Sequence, residues 1–133
     1  MARLVVYGRS GYGPDMMRGD RWVREHPLAY VLFDIDVDTD ARAFVVRHTG
    51  HRSVPTLVIA PDDGFDPIED PAALIRSARD VDRGSMLTEP SAPTIEAFLH
   101  RNGIAFGGAG GDPSIVAPNI ERAGRHRAPI GRA

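Results

Sequence analysis

The side chains able to do chemistry in this chain exclude more than they allow. None of the 133 residues is cysteine, and all sixteen basic side chains are arginine. Disulfides, thiolate nucleophiles, Cys-ligated zinc and protein-ligated iron–sulfur clusters are therefore ruled out, as are lysine Schiff bases. Asp34, Asp36, Asp38 and Asp40 alternate in the manner of a calcium loop. A helix-loop-helix site counted from Asp34 would need Gly sixth and Glu twelfth, where Thr39 and Val45 stand, so the acids read as a strand end and a helix cap. His48 and His51 have a ligand-like spacing, but Gly50 between them ends the helix and parts the rings. His26, His100 and His126 have no partner at a useful spacing, and no metal site is expected. Gly107-Gly108-Ala109-Gly110-Gly111 follows a helix instead of joining a strand to one, so it reads as a flexible hinge and not as a phosphate loop.

The elements that position these residues follow from periodicity and punctuation. Residues 3–7 form an apolar run closed by Gly8, suited to a strand covered on both faces. A helix is predicted over 14–26, with Pro14 in its first turn and Pro27 after its end. Residues 30–35 make a second buried strand, parallel to the first. Asp38 or Asp40 caps a helix over 41–48, which Gly50 terminates. Strands come next at 56–60 and 85–88. Ser91 caps a last helix that carries Ile95, Phe98 and Leu99 on one face and stops at Asn102-Gly103. The expectation is an α/β chain in the order β-α-β-α-β-β-α around a four-stranded mixed sheet, with residues 1–104 as the domain. Residues 65–84 are an insertion before the last strand, with one helical piece at 72–78 started by Asp70 and Pro71. Residues 105–133, rich in Gly, Pro and Arg, read as an extended tail.

With 42% hydrophobic and 26% charged residues, the composition is globular, and the net charge of −2 favours neither nucleic acid nor an anionic membrane. The tail has four arginines against two acids, leaving +2 there and −4 in the rest. That is too sparse for a nucleic-acid arm. No run approaches a membrane span, and the first residues lack the order of a secretory signal, so a cytoplasmic protein is expected.

Three stretches carry a likeness: Val6-Tyr7-Gly8-Arg9-Ser10 with Tyr12-Gly13-Pro14-Asp15-Met16; Arg52-Ser53-Val54-Pro55-Thr56-Leu57-Val58; and Leu87-Thr88-Glu89-Pro90-Ser91. In this order they resemble the glutaredoxin family, especially the small glutaredoxin-like proteins of bacteria. The resemblance implies a thioredoxin-like fold over about residues 3–103. It also implies a cis Pro55 facing the loop that starts the first helix, where the family has Cys-x-x-Cys. Here Gly13 stands at the nucleophile's place and Met16 at the resolving cysteine's, around Pro14-Asp15. Neither dithiol nor monothiol exchange can proceed without a protein thiolate.

What the resemblance leaves is a groove between Tyr12-Gly13-Pro14 and Ser53-Val54-Pro55. It implies that the Val54 main chain pairs with an extended peptide, a partner-protein segment or a small thiol. Gly13 and Pro14 lie at the positive end of a helix, weakened as an anion site by Asp15. Arg9 and Arg52 flank this groove, as bidentate donors to a ligand carboxylate or as solvated loop side chains. Met16 packs near it. By likeness to glutathione transferases, a second reading makes Ser10 or Tyr12 the hydroxyl that stabilises the thiolate of a bound thiol, in a transferase, lyase or isomerase. A third is an accessory protein with a purely structural role. No cofactor is required by the first reading; the second uses a low-molecular-weight thiol such as glutathione or an analogue. The insertion and tail are surfaces for self-association, and neither nucleic acid nor membrane is an expected partner.

Overall fold

The computed structural model describes residues 2–9 and 18–126. These form an α/β structure with an open, mixed five-stranded sheet and three helices. The elements are β1 (Ala2–Gly8), α1 (Arg18–Glu25), β2 (Ala29–Asp34), α2 (Thr39–Thr49), β3 (Thr56–Pro61), β4 (Met86–Thr88), α3 (Ala92–Arg101) and β5 (Asn119–Arg122). The sheet order is β4-β3-β1-β2-β5. β1 runs parallel to β2 and antiparallel to β3, β3 is antiparallel to β4, and β5 is parallel to β2.

Side chains alternate across this sheet, so β1 feeds two cores at once. Leu4 and Val6 point into one core with Trp22 and Val23 of α1 and with Ile95, Phe98 and Leu99 of α3. Val5 and Tyr7 point into the other with Ala41, Phe44 and Val45 of α2. Near-complete burial of β1 and β3 on both faces explains their unbroken apolar runs. In the first core, Trp22 Nε1 donates to Glu96 Oε2 at 3.1 Å, tying α1 to α3. α2 begins where Asp38 Oδ1 accepts from the Ala41 amide at 3.0 Å, and ends at Gly50 with φ 83°, a left-handed cap that a Cβ would strain.

Four expectations are corrected. The sheet has five strands and not four, because residues 119–122 of the expected tail pair with the outer edge of β2. That edge would otherwise present unpaired main-chain groups, and β5 satisfies them although its own side chains are all exposed. The stretch 105–118 leading to it is also docked. Phe106 is buried against Trp22, His26 and His100, and Gly107 N donates to Pro27 O at 2.6 Å. The glycine run is accordingly a packed turn and no hinge. A Cβ on Gly107 would lie 1.9 Å from the Ile115 carbonyl oxygen, and one on Gly111 2.3 Å from that of Phe106.

The expected helix at 72–78 is absent as well. Ala72 N donates to Arg83 O, and bridges join Arg79 to Thr88 and Asp82 to Leu87, so the insertion folds back along β4. A seven-residue helix gains little by itself, and these long-range partners outweigh it.

Candidate functional site

The register of β1 and β3 ends with Tyr7 opposite Thr56, so the Ser53-Val54-Pro55 turn leads into β3 at the carboxyl end of β1. In open sheets of this kind, that end is where ligands gather, because loops and helix starts converge there. The Val54–Pro55 peptide is cis. The turn is held from three sides. Thr56 Oγ1 donates to Ser53 O at 2.8 Å and lies 3.2 Å from Thr88 Oγ1, while Glu89 N donates to Pro55 O at 2.9 Å. The Val54 side chain is buried in the second core, Ser53 is half-buried and Arg52 is exposed.

Arg9 sits across this end with its side chain mostly covered, its Nε 3.0 Å from Asp36 Oδ1. The acids that alternate along 34–40 thus have separate structural duties. Asp34 anchors the turn after β2 by accepting from Asp36 N, Asp36 pairs with Arg9, and Asp38 caps α2. His48 and His51 are parted by the Gly50 cap. The His48 ring packs on Phe44, and burial, assisted by Arg47 and Arg83, lowers its pKa below 6.5. Among the described residues, no group of three or more His, Asp or Glu side chains is placed to hold a metal ion. None of the described helices is long and apolar enough to cross a membrane.

Of the site residues expected from sequence, Arg9, Arg52, Ser53, Val54 and Pro55 are brought to this one end of the sheet. Ser10, Tyr12, Gly13, Pro14 and Met16 lie outside the described residues. An open groove of about 480 Å³ lies at the opposite end, between the amino ends of β1 and β2 and residues 103–105. Its charged groups do not converge: Arg3 is turned to Gly64 O, with its Nη2 at 2.7 Å, and Glu121 is exposed. The carboxyl end carries instead the held turn and the Arg9–Asp36 pair.

A second polar cluster has no counterpart among the residues singled out from sequence. His126 is 4% exposed, with Nε2 2.9 Å from the Tyr7 hydroxyl and its amide donating to Asp38 Oδ2 at 2.7 Å. Its ring lies among Tyr7, Phe33, Phe44 and Phe65. Among the described residues, its Nδ1 is buried without a partner. Burial lowers the His126 pKa below 6.5, against the pull of Asp38, Asp66 and Asp40. Burial likewise, with Asp66 and Asp38, raises that of Tyr7 far above 10. The residues involved lie up to 119 positions apart, and no local spacing could have linked them.

Comparison of the chain with family models, with curated proteins and with solved structures gives no match.

Proposed function

We propose that this chain is a cysteine-free, redox-inactive binding protein of the glutaredoxin-like kind. Its groove beside the Ser53-Val54-Pro55 turn receives an extended peptide, a partner-protein segment or a small thiol. The observation that carries the reading is the Tyr7–Thr56 register, which sets that turn against the end of β1. The directions of β4-β3-β1-β2, with α1 and α3 over one face and α2 over the other, agree with the thioredoxin-type arrangement that the motifs imply. β5 is an addition to that plan. The Val54 main chain lies beyond the last paired residues of the β1–β3 ladder, where an added strand would find it. Without a thiolate the groove can hold a ligand but cannot exchange sulfur with it. The same reading puts the protein in a bacterial cytoplasm.

The test is nuclear magnetic resonance shift mapping on the full chain with glutathione, with S-methylglutathione and with a short extended peptide containing cysteine. Saturable shifts centred on Arg9, Arg52, Ser53 and Val54 are the expected result. Shifts confined to the amino-end groove, or none with any of the three probes, would overturn the reading. The thiol-activating alternative rests on Ser10 and Tyr12. It requires glutathione to bind far better than its S-methyl form, a preference that Ser10→Ala or Tyr12→Phe abolishes. The placement of the groove has its own check. Gly13→Cys with Met16→Cys should yield disulfide reductase activity, and an inert double variant would mean that the first helix does not start opposite Pro55.

A further inference from the structure

β5 is a weak strand by its own composition. It has four residues between Pro118 and Gly124, all exposed, and its ladder reaches only β2. The residues just after it are firmly anchored. Ala123 N donates to Leu32 O at 3.0 Å, and the chain turns inward so that His126 enters the second core. The imidazole meets Phe33 edge-on at 4.9 Å between ring centres, Tyr7 edge-on at 5.6 Å and Phe44 tilted at 5.1 Å, with Phe65 stacked farther off at 6.2 Å. One side chain thus plugs an aromatic slot and fastens the strand before it. The fastening has two polar points, Tyr7 Oη on Nε2 and Asp38 Oδ2 on the His126 amide, and Asp38 is also the cap of α2.

The slot suits a neutral ring. A neutral imidazole bonded to the Tyr7 hydroxyl through Nε2 leaves Nδ1 without a partner among the described residues, a cost smaller than that of burying a charge there. A second proton makes both ring nitrogens donors, places a full charge among four aromatic side chains and leaves one N–H unpaired. The groups around it do not offset this equally. Asp38 and Asp40 at the start of α2 and Asp66 after β3 draw the proton on, but Asp38 already serves two backbone amides. Arg47 of α2 opposes it, and Arg125, next in the chain, lies 3.9 Å from Asp40 and partly neutralises that acid. His48, also on α2, packs its ring on Phe44, which the His126 ring also meets. Tyr7 stays neutral, because burial holds its proton on.

We propose that residues 119–126 form a proton-released latch. Neutral His126 locks β5 onto β2, and its protonation withdraws the ring from the slot, frees the strand and uncovers both the outer edge of β2 and the aromatic slot. Release presents two features that the docked segment itself fits: a strand edge that pairs an extended segment running parallel to β2, and, past its end, a slot for one flat ring. This device is independent of the groove at Pro55, and either can fail without the other.

Amide hydrogen exchange on the full chain tests it, comparing 117–126 with 2–8 between about pH 7.5 and about pH 5 after division by intrinsic rates. The expected result is a severalfold loss of protection in 119–123 while β1 keeps its own, since the undocked imidazole binds a proton more readily than the docked one. His126→Phe, which keeps a ring and removes the titrating nitrogens, should flatten that response. Loss of protection in both segments together, or an unchanged response in H126F, overturns the latch. If H126F fails to dock the strand at any pH, the wild-type imidazole resonances decide. A His126 midpoint below 6.5 that coincides with loss of the 119–123 contacts supports the latch, and a midpoint at the ordinary value with β5 undisturbed overturns it.

Discussion

At the β4 edge of the sheet, the insertion is pinned by a buried arginine. Arg83 Nε donates to Ala72 O at 2.8 Å, its Nη1 donates to His48 O at 2.7 Å, and Met86 Sδ lies 3.5 Å from that same nitrogen. Ser85 Oγ donates to Glu69 O at 2.6 Å, and Arg101 grips Asp82 with both terminal nitrogens. At the β5 edge, among the described residues, no buried arginine braces the closing strand. It is held by a main-chain ladder to β2 and by the His126 imidazole that follows it. A guanidinium stays charged over the whole physiological range, so the Arg83 brace does not itself titrate near neutrality. An imidazole does not, so the second edge is conditional. The same need, covering unpaired strand groups, is met by a permanent device on one side and a titratable one on the other.

The contrast between the edges breaks most sharply at Gly107. Gly107→Ala should cost about 3 kcal/mol in chemical denaturation, because the added carbon meets the Ile115 backbone and either that backbone or the Pro27 contact must yield. A change below about 0.5 kcal/mol would mean that 105–118 is not tightly packed. Arg83→Met comes next, at about 2 kcal/mol, since its loss leaves the His48 and Ala72 carbonyls without that donor while the methionine keeps much of the packing. That loss should change little above 6.5 and shrink on acidification, because Arg83 also opposes the protonation of His48.

The pH dependence of the whole molecule sharpens the contrast. His126 and His48 have folded pKa values below 6.5, so the stability tied to their neutral forms is fully present above 6.5 and is lost as pH falls through the folded values. Unfolding midpoints should therefore fall on acidification through that window, less so in H126F. The folded pKa of Asp82 is lowered too: burial works against this, but the Arg101 and Gly84 hydrogen bonds outweigh it. Its contribution is present above 3.8 and is lost only as pH drops through the folded value. The smallest effect expected is that of Arg101→Ala, about 0.5 kcal/mol, because the pair is half open to solvent and screened by salt. A loss above about 2 kcal/mol would show that the β4 edge depends on this pair more than an exposed ion pair allows.

Local signals were reliable where the chain decides its own conformation. A cap at Asp38 or Asp40, Gly50 as a stop, the apolar runs of β1, β2 and β3, and the helix after Ser91 were legible from residue type and spacing, and the structure selects Asp38 as the cap. Ser91 is at the cap position by backbone, but its hydroxyl meets Thr94 Oγ1 at 2.9 Å and makes no main-chain cap bond, a detail that spacing does not reveal. At the carboxyl end of β1, the motif around Pro55 was legible and Arg52 is exposed there. The internal partner of Arg9, Asp36, was not, because it depends on the turn that comes after β2.

By itself the sequence determined a cysteine-free, lysine-free α/β chain and the order of its first seven elements, since composition and short-range periodicity are properties of the chain alone. Only the tertiary structure decided that 72–78 is no helix, that Asn119–Arg122 is a strand, and that Tyr7, Asp38 and His126 meet. Each of those outcomes depends on hydrogen-bonding groups left open elsewhere in the fold. The edge of β2, the segment beside β4 and the slot between Phe33 and Phe44 exist only once the sheet has assembled, so nothing within a few residues of Asn119 or His126 could announce them.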